Sequence, residues 1–149
     1  MNKILIIPSI DIQDQKTVRV VQGIPELGCA EYKSDPVEMA MIWRAENAKC
    51  LHVVDSNAAH EHSKVNFEII KQICEAVIIP VELGGGIRNY EDACEAFELG
   101  VARVVIGSMA FENPREFIKI LDKFTPNRVV SAIDVIDGEV VTRGRQIRT

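Results

Sequence analysis

Apolar, β-branched runs alternate with amphipathic helical patterns along the whole chain, and this alternation limits the fold more than any other feature. Near-continuous apolar strands are typical of parallel sheets that are covered on both faces. Where helices separate such strands, the crossovers are right-handed and the strands join one parallel sheet. We therefore predict an α/β domain over residues 1–149, with four βα units followed by a fifth strand.

The boundaries of these elements follow from the apolar patterns and their flanking residues. Strands are predicted at Ile4–Ile10, Cys50–Val54, Val77–Leu83, Ala102–Ile106 and Arg128–Ile133. Helices are predicted from Asp35-Pro36 to about Asn47, over Phe67–Ala76, from Asn89 or Tyr90 to Gly100, and from Asn113-Pro114 to about Phe124. Proline in the first turn after Asp or Asn is typical of helix starts, and glycine is typical just after the last turn. Two β-rich arms, Thr17–Gln22 and Glu139–Thr142, and a polar loop, His60–Lys64, complete the prediction.

One internal repeat defines the architecture further. Ser9–Asp14 resembles Ala132–Asp137, and a β-rich arm follows each segment. Asp11 and Asp134 are 134 − 11 = 123 residues apart, the length of the four βα units. A repeat of this size predicts a TIM (β/α)8 barrel built from two similar halves. A complete barrel needs roughly 200 residues or more, so 149 residues supply a partial barrel, namely the first half and strand five.

Composition argues against several classes of protein. Seventeen Lys and Arg against 22 Asp and Glu give a net charge of −5, which disfavours the broad basic face of a nucleic-acid binder. No apolar run is long enough for a transmembrane helix, and Met1–Ile10 has the pattern of a first strand rather than a signal peptide. The four cysteines show no CxxC pair and no metal-ligand spacing, which favours reduced thiols in a cytoplasmic protein.

Two aspartates are the candidate acid and base. Asp11 and Asp134 end predicted strands, and the carboxyl ends of barrel strands face the catalytic mouth. Two carboxylates there can divide the work of general acid and general base when their environments differ. The alternative is that each aspartate caps the turn into its hairpin arm.

Glycines after two neighbouring strands predict a phosphate site. Gly84-Gly85-Gly86 follows the third predicted strand, and Gly107-Ser108 follows the fourth. Glycines let backbone N–H groups approach an anion closely, and a following helix start adds a favourable dipole. The alternative for the triple glycine is a plain tight turn, and Arg88 is either a phosphate contact or a surface or ion-pair residue.

Three further side chains receive structural or binding predictions. Asp55 ends the second predicted strand and could face the mouth, whereas His52 is expected in the core or against a helix. Trp43 is expected to pack on the sheet in a stripe with Met39 and Ile42. His60 and His62 lack a third ligand at useful spacing, so no metal site is predicted.

Together these motifs resemble the HisA family, the ProFAR isomerases of histidine biosynthesis, where ProFAR is phosphoribosylformimino-5-aminoimidazole carboxamide ribotide. The resemblance covers the whole chain but only about the first three-fifths of the family's barrel. The matching segments are Ile7–Asp11, Val18–Gly23, Asp35–Val37, Leu51–Asp55, Gly84–Arg88, Val105–Ser108, Glu112–Pro114 and Thr142–Gly144.

The resemblance implies an Amadori rearrangement of the aminoaldose ProFAR to the aminoketose PRFAR, without a metal or organic cofactor. It implies that Asp11 is the general base for the C2 proton and that Asp134 is the general acid for the ring oxygen. The substrate carries two phosphates. One family phosphate site falls on Gly85, Gly86, Gly107 and Ser108, and the other follows strands seven and eight, which this chain does not supply. Arg19, Asp55 and Arg145 complete the expected substrate-binding set.

The chain departs from the family pattern at two positions and leaves two other functions open. Gln15 stands where the family usually has glycine, and Arg145 stands where it has a tryptophan that covers the substrate. The alternatives are the related cyclase subunit of imidazole glycerol phosphate synthase and a non-catalytic, phosphate-binding half-barrel. His52–Asp55 and Thr142–Gly144 favour the isomerase.

A partner is also expected, because five barrel strands leave open edges and an uncovered inner face. That partner is a second copy of the chain or the missing C-terminal half-barrel. No nucleic acid or membrane is expected to bind, and activity of a chain of this length on its own is an open question at this point.

Overall fold

A computed structural model describes residues 4–20, 29–31, 35–143 and 147–148. Its strands are β1 (Ser9–Gln13), β2 (Lys16–Val20), β3 (Cys29–Glu31), β4 (Leu51–Asp55), β5 (Val81–Gly84), β6 (Arg103–Ile106), β7 (Val129–Ser131), β8 (Asp134–Ile136), β9 (Glu139–Thr142) and β10 (Ile147–Arg148). Its helices are α1 (Pro36–Ala45), α2 (Ser56–Glu61), α3 (Phe67–Val77), α4 (Tyr90–Glu98), α5 (Ser108–Glu112) and α6 (Pro114–Phe124), with a 3-10 turn at Pro126–Arg128.

Seven of these strands form one sheet in the order β3-β2-β1-β4-β5-β6-β7. β1, β4, β5, β6 and β7 run parallel, and helices connect each to the next. The predicted α/β fold, four βα units and then a fifth strand, is confirmed and is consistent with a partial TIM barrel. β8, β9 and β10 form a separate antiparallel sheet, in which the predicted arm Glu139–Thr142 is the central strand.

The core lies between the parallel strands and the helices. Strand residues alternate in burial, and the buried set includes Ile10, Ile12, Leu51, Val53 and Leu83. Successive strand residues point to opposite faces, so the remaining residues lie on the other face of the sheet. There Asp11, His52, Val54, Glu82 and Arg103 are only partly buried. Among the described residues, the sheet therefore has one helix-covered face and one open face.

Two strands begin four or more residues later than the sequence predicts. β1 begins at Ser9 rather than Ile4, and Ile4 is 89% exposed. Pairing with β4 begins where the Pro8 carbonyl accepts a hydrogen bond from His52 N, because β4 itself begins at Leu51. β5 begins at Val81 rather than Val77, because α3 continues through Val77 and ends at Ile78, whose φ is +59°.

Helix α1 differs from its predicted packing. Asp35 caps it as predicted, since its side chain accepts hydrogen bonds from Val37 N and Glu38 N. Trp43 and Ile42, however, are 36% and 52% exposed, so the prediction of a core stripe is wrong for both. Helix α1 packs against α3 and β1, and nothing in the described residues covers its outer flank. Within the described part of the chain, no helix is both long and apolar enough to cross a membrane.

Candidate functional site

Asp11 lies on the open face of the sheet. It is the middle residue of β1, paired with Val18 of β2 and with Val54 of β4. The strand therefore runs three residues beyond Ile10, its predicted last residue. Ser9, two residues earlier on the same face, donates a hydrogen bond from Oγ to Asp11 Oδ1 at 3.3 Å.

Asp134 follows the last parallel strand and belongs to the separate antiparallel sheet. It comes three residues after the end of β7 and opens β8, where it pairs with Val141 of β9. Asp134 lines a cleft of about 180 Å³ together with Gly107, Ser108 and Thr142. The structure thus brings Asp134 together with half of the predicted phosphate site.

Asp11 and Asp134 do not share a pocket among the described residues. Asp11 lies on β1, and Asp134 follows β7, which is four steps from β1 in the sheet order β1-β4-β5-β6-β7. At about 4.8 Å per step, this separation is roughly 19 Å along the sheet. Curvature of a barrel sheet shortens the direct distance and makes the two strand ends face each other.

Gly85 and Gly86 form a tight turn packed on the β4–α2 connection. Their φ angles are +98° and +77°, in the region that favours glycine. A Cβ on Gly85 would lie 2.4 Å from the Asp55 carbonyl oxygen, and one on Gly86 would lie 2.6 Å from the Ala58 Cβ. Close packing therefore explains these glycines without a ligand, and phosphate binding there stays a prediction.

Gly107 and Ser108 lie beside that turn, at the end of the neighbouring strand. Register pairs Gly84 of β5 with Val105 of β6, so the two loops leave adjacent strand ends as predicted. Ser108 is the first residue of α5, and its Oγ accepts a hydrogen bond of 2.7 Å from Arg143 N. The Ser108 hydroxyl therefore holds the end of β9 against α5.

Asp55 is inside the protein rather than at a mouth. It is 1% exposed and lies on the helix-covered face with Leu51 and Val53. Its Oδ1 accepts hydrogen bonds from Ala58 N at 3.0 Å and from Asn66 Nδ2 at 2.7 Å, while the buried Oδ2 has no hydrogen-bond partner among the described residues. Burial raises the pKa of this carboxyl above its ordinary value, and the hydrogen bonds oppose the shift. The structure therefore assigns Asp55 to capping α2 and not to the open face.

His52 lies on the open face, which corrects the expectation that it packs in the core or against a helix. Its Nδ1 is 3.3 Å from Glu82 Oε1, and Arg103 Nη2 is 2.9 Å from Glu82 Oε2. Register places Ser9, His52, Glu82 and Arg103 side by side on successive strands, one row below Asp11. This polar row was missed from the sequence, because adjacency across strands depends on register.

The structure describes no side-chain contacts of Arg19 and Arg145, the two arginines that are predicted to bind the substrate. Arg19 pairs with Ala30 between β2 and β3, and its side chain lies outside the described residues, as does all of Arg145. Arg88 donates from Nη2 to the Ala59 carbonyl at 2.7 Å, which favours its structural interpretation. The described residues contain no group of three or more His, Cys, Asp or Glu that could hold a metal ion.

Comparison with known proteins now identifies the family. The chain matches the family described as histidine biosynthesis protein over residues 5–149. The chain belongs to this family.

Curated relatives within the histidine biosynthesis family are named as isomerases of 1-(5-phosphoribosyl)-5-((5-phosphoribosylamino)methylideneamino)imidazole-4-carboxamide, which is ProFAR. The Persephonella marina isomerase is 44% identical over 139 residues, which cover 93% of this chain and 57% of that protein. The Chloroherpeton thalassium isomerase is 47% identical over 134 residues, which cover 90% of this chain and 51% of that protein. The Salinibacter ruber isomerase is 43% identical over 140 residues, which cover 94% of this chain and 54% of that protein. The chain thus spans about half the length of the curated relatives it matches.

Asn57 and Asn66 are residues of this family member that the sequence analysis did not single out. Both are buried, and both accept backbone hydrogen bonds from the turn after β1. Asn57 lies in the short helix α2 and Asn66 directly precedes α3, and neither carries a periodic signal by which the sequence could have identified it.

Proposed function

We propose that this chain acts in histidine biosynthesis as an isomerase that converts ProFAR to PRFAR. Asp11 is the general base and Asp134 is the general acid. The observation that carries the proposal is the placement of the two repeat-related carboxylates. One lies on the open face of the first parallel strand, and the other follows the fifth, in a cleft with Gly107 and Ser108. Membership of the family and the names of its relatives support the choice of substrate.

The proposed chemistry consists of two proton transfers. Asp134 donates a proton to the ring oxygen of the aminoaldose, so that the C1–O bond breaks and C1 becomes an iminium carbon. Asp11 then removes the C2 proton, and the electron pair of that C–H bond neutralises the iminium. The resulting enolamine tautomerises to the aminoketose. The iminium accepts the electrons, so carboxyl groups held in different protonation states are sufficient for the reaction.

Backbone N–H groups supply the proposed binding of one substrate phosphate. Gly85 and Gly86 follow β5, while Gly107 and Ser108 follow the adjacent β6. Arg19 and Arg145 are proposed to contact the rest of the substrate, because a guanidinium can hold a phosphate or stack on a flat base. Asp55 contributes indirectly, since its backbone carbonyl packs under Gly85.

A second half-barrel is proposed to complete the site, supplied by another copy of the chain or by a C-terminal half like that of the longer relatives. The open face and the exposed flank of α1 at Ile42 and Trp43 support this partner. A cytoplasmic location is also proposed. Cys50, Cys74 and Cys94 are free thiols, and burial raises the pKa of Cys74 to about 11, which keeps it protonated.

The function is tested by incubating the purified chain with ProFAR and separating the aminoaldose from the aminoketose by chromatography. The proposal predicts that the aminoketose accumulates at a rate proportional to the amount of chain. Binding of ProFAR without conversion would favour the non-catalytic, phosphate-binding half-barrel instead.

A further inference from the structure

The turn between β1 and β2 has an unusual backbone for its sequence. Asp14 and Gln15 lie between the paired residues Gln13 and Lys16, and their φ angles are +50° and +63°. Two-residue hairpin turns with positive φ at both positions are typically Asn-Gly or Asp-Gly, since glycine adopts positive φ without steric cost. Gln15 is therefore a residue that this turn disfavours.

Two buried asparagines hold the turn in this conformation. Asn57 Oδ1 accepts a hydrogen bond from Asp14 N at 2.8 Å, and Asn57 Nδ2 donates to Asp14 Oδ1 at 2.9 Å. Asn66 Oδ1 accepts from Gln15 N at 2.8 Å. Both backbone N–H groups of the turn are thus bound by side chains that lie more than 40 residues away in the sequence, at separations of 43 and 51.

Hydrogen bonds among buried side chains fix the orientation of the Asn57 and Asn66 side-chain amides. Asn66 Nδ2 donates to Asp55 Oδ1 at 2.7 Å and to Asn57 Oδ1 at 2.9 Å, so the Asn66 oxygen must face the turn. Asn66, Asn57 and Asp55 are 0%, 3% and 1% exposed. Buried, fully oriented amides hold their partners more rigidly than surface hydrogen bonds do.

The conformation of this turn also fixes the placement of Asp11. Hairpin register depends on the turn, and a slip of one residue would move Asp11 from the open face to the helix-covered face. We propose that Asn57 and Asn66 are positioning residues for Asp11, which hold the glycine-free turn after β1 and thereby keep the carboxylate at its place on the open face. The catalytic consequence rests on the proposed isomerase function, whereas the geometric consequence does not.

The test compares five forms of the chain: the native form, Asn66→Ala, Gln15→Gly, Gln15→Val and the double variant of Asn66→Ala with Gln15→Gly. Two measurements are made on each, namely the ¹³C resonance of the Asp11 carboxyl, assigned by its loss in Asp11→Asn, and kcat and KM for ProFAR. Circular dichroism checks that each form is folded at the assay temperature. If Asn66→Ala does not fold, Asn57→Ala takes its place. Comparing Gln15→Val with Gln15→Gly tests the turn by substitutions at an exposed residue, without altering a buried side chain.

We expect Asn66→Ala to shift and broaden the Asp11 resonance and to lower kcat roughly 10-fold, with KM within about 2-fold. Gln15→Gly alone leaves both readouts unchanged, and in the double variant it restores much of the loss, because glycine keeps the turn without the asparagine. Gln15→Val reproduces the loss, since β-branched residues resist positive φ. A folded Asn66→Ala with a native Asp11 resonance, or a double variant no better than the single one, overturns the proposal. If the native chain does not convert ProFAR, the proposed function fails, and the Asp11 resonance still decides the positioning claim.

Discussion

At the scale of single residues, two glycines with similar backbone angles differ completely in their surroundings. Gly85 has φ +98° and would place a Cβ 2.4 Å from the Asp55 carbonyl oxygen, whereas Gly138 has φ +85° and nothing within 4 Å of a Cβ. We expect Gly85→Ala to lower the free energy of unfolding by about 3 kcal/mol or more, from strain and overpacking together. Gly138→Ala should lower it by about 1 kcal/mol, from backbone strain alone. Urea titration measures the free energy of unfolding of both variants. Equal losses of this free energy in Gly85→Ala and Gly138→Ala would contradict the packing assigned to Gly85.

The buried Asp55 carboxyl gives a prediction for pH. Burial raises its pKa in the folded state, so the folded protein binds the proton more tightly than the unfolded chain does. Its contribution to stability is therefore greatest at low pH and is lost as the pH rises through the folded pKa. Asp55→Asn keeps an oxygen for Ala58 N and Asn66 and does not ionise. We expect its stability relative to the native chain to increase between about pH 4 and pH 7.

The control for this pH experiment is Asp122→Asn, the same chemical change at an exposed position on α6. Because Asp122 is exposed, burial does not contribute at this position, and the stability difference should change less over that range than that of Asp55→Asn. A constant difference for Asp55→Asn would show that Asp55 has an ordinary pKa in the folded state.

At the scale of elements, the second hairpin is attached to the sheet through α5. Glu112 accepts hydrogen bonds from Arg143 Nε at 3.1 Å and from Thr142 Oγ1 at 2.8 Å. The Arg143 bond, followed by that of Thr142, lowers the pKa of Glu112. A lowered folded pKa means that this attachment is complete above the ordinary glutamate pKa and is lost as the pH falls through the folded value.

We expect Glu112→Gln to increase hydrogen exchange at Val141 and Thr142 at neutral pH, because the charged attachment of β9 is weakened. Glu75→Gln, at an exposed position on α3, is the matched control and should leave these amides unchanged. Hydrogen exchange of the amides in both variants is measured by mass spectrometry. Equal exchange in Glu112→Gln and the native chain would show that Ser108 and the strand pairing alone hold the hairpin.

The apolar patterns predicted the order and type of the main elements but not their exact limits. Val77–Pro80 is apolar throughout, and periodicity alone does not separate the last turn of α3 from the start of β5. The short helices α2 and α5 were missed, because each is only one or two turns long and begins directly after a strand. Strand β8 was likewise not predicted as an element of its own.

At the scale of the whole molecule, the helices among the described residues cover only one face of the sheet. The row of His52, Glu82 and Arg103 and the carboxylate of Asp11 lie on the open face, and Ile42 and Trp43 mark the outer flank of α1. We expect the chain to self-associate at micromolar concentration, because open strand edges and apolar flanks favour pairing. Sedimentation velocity measures this. A monomer that binds no hydrophobic dye would contradict the proposed second half-barrel.

The candidate site could be predicted only in part. The repeat singled out Asp11 and Asp134, since a sequence repeat marks equivalent strand ends without any coordinates. Asp55 matched the family motif equally well, yet its position in the pleat places it inside the protein. The contact of Asn66 with a turn 51 residues away depends on where the fold places the start of α3 relative to that turn, and local sequence holds no record of that placement.

The most direct test of the central claim is the rate of ProFAR conversion by the native chain, by Asp134→Asn and by Asp122→Asn, measured side by side. The amide of Asp134→Asn cannot donate the proton that opens the sugar ring, while Asp122 lies on the exposed surface of α6. Our account predicts conversion by the native chain and by Asp122→Asn, and its loss in Asp134→Asn by a factor of 10² or more, roughly the contribution of a general acid. Equal rates for native chain and Asp134→Asn, or no conversion by any form, would contradict it.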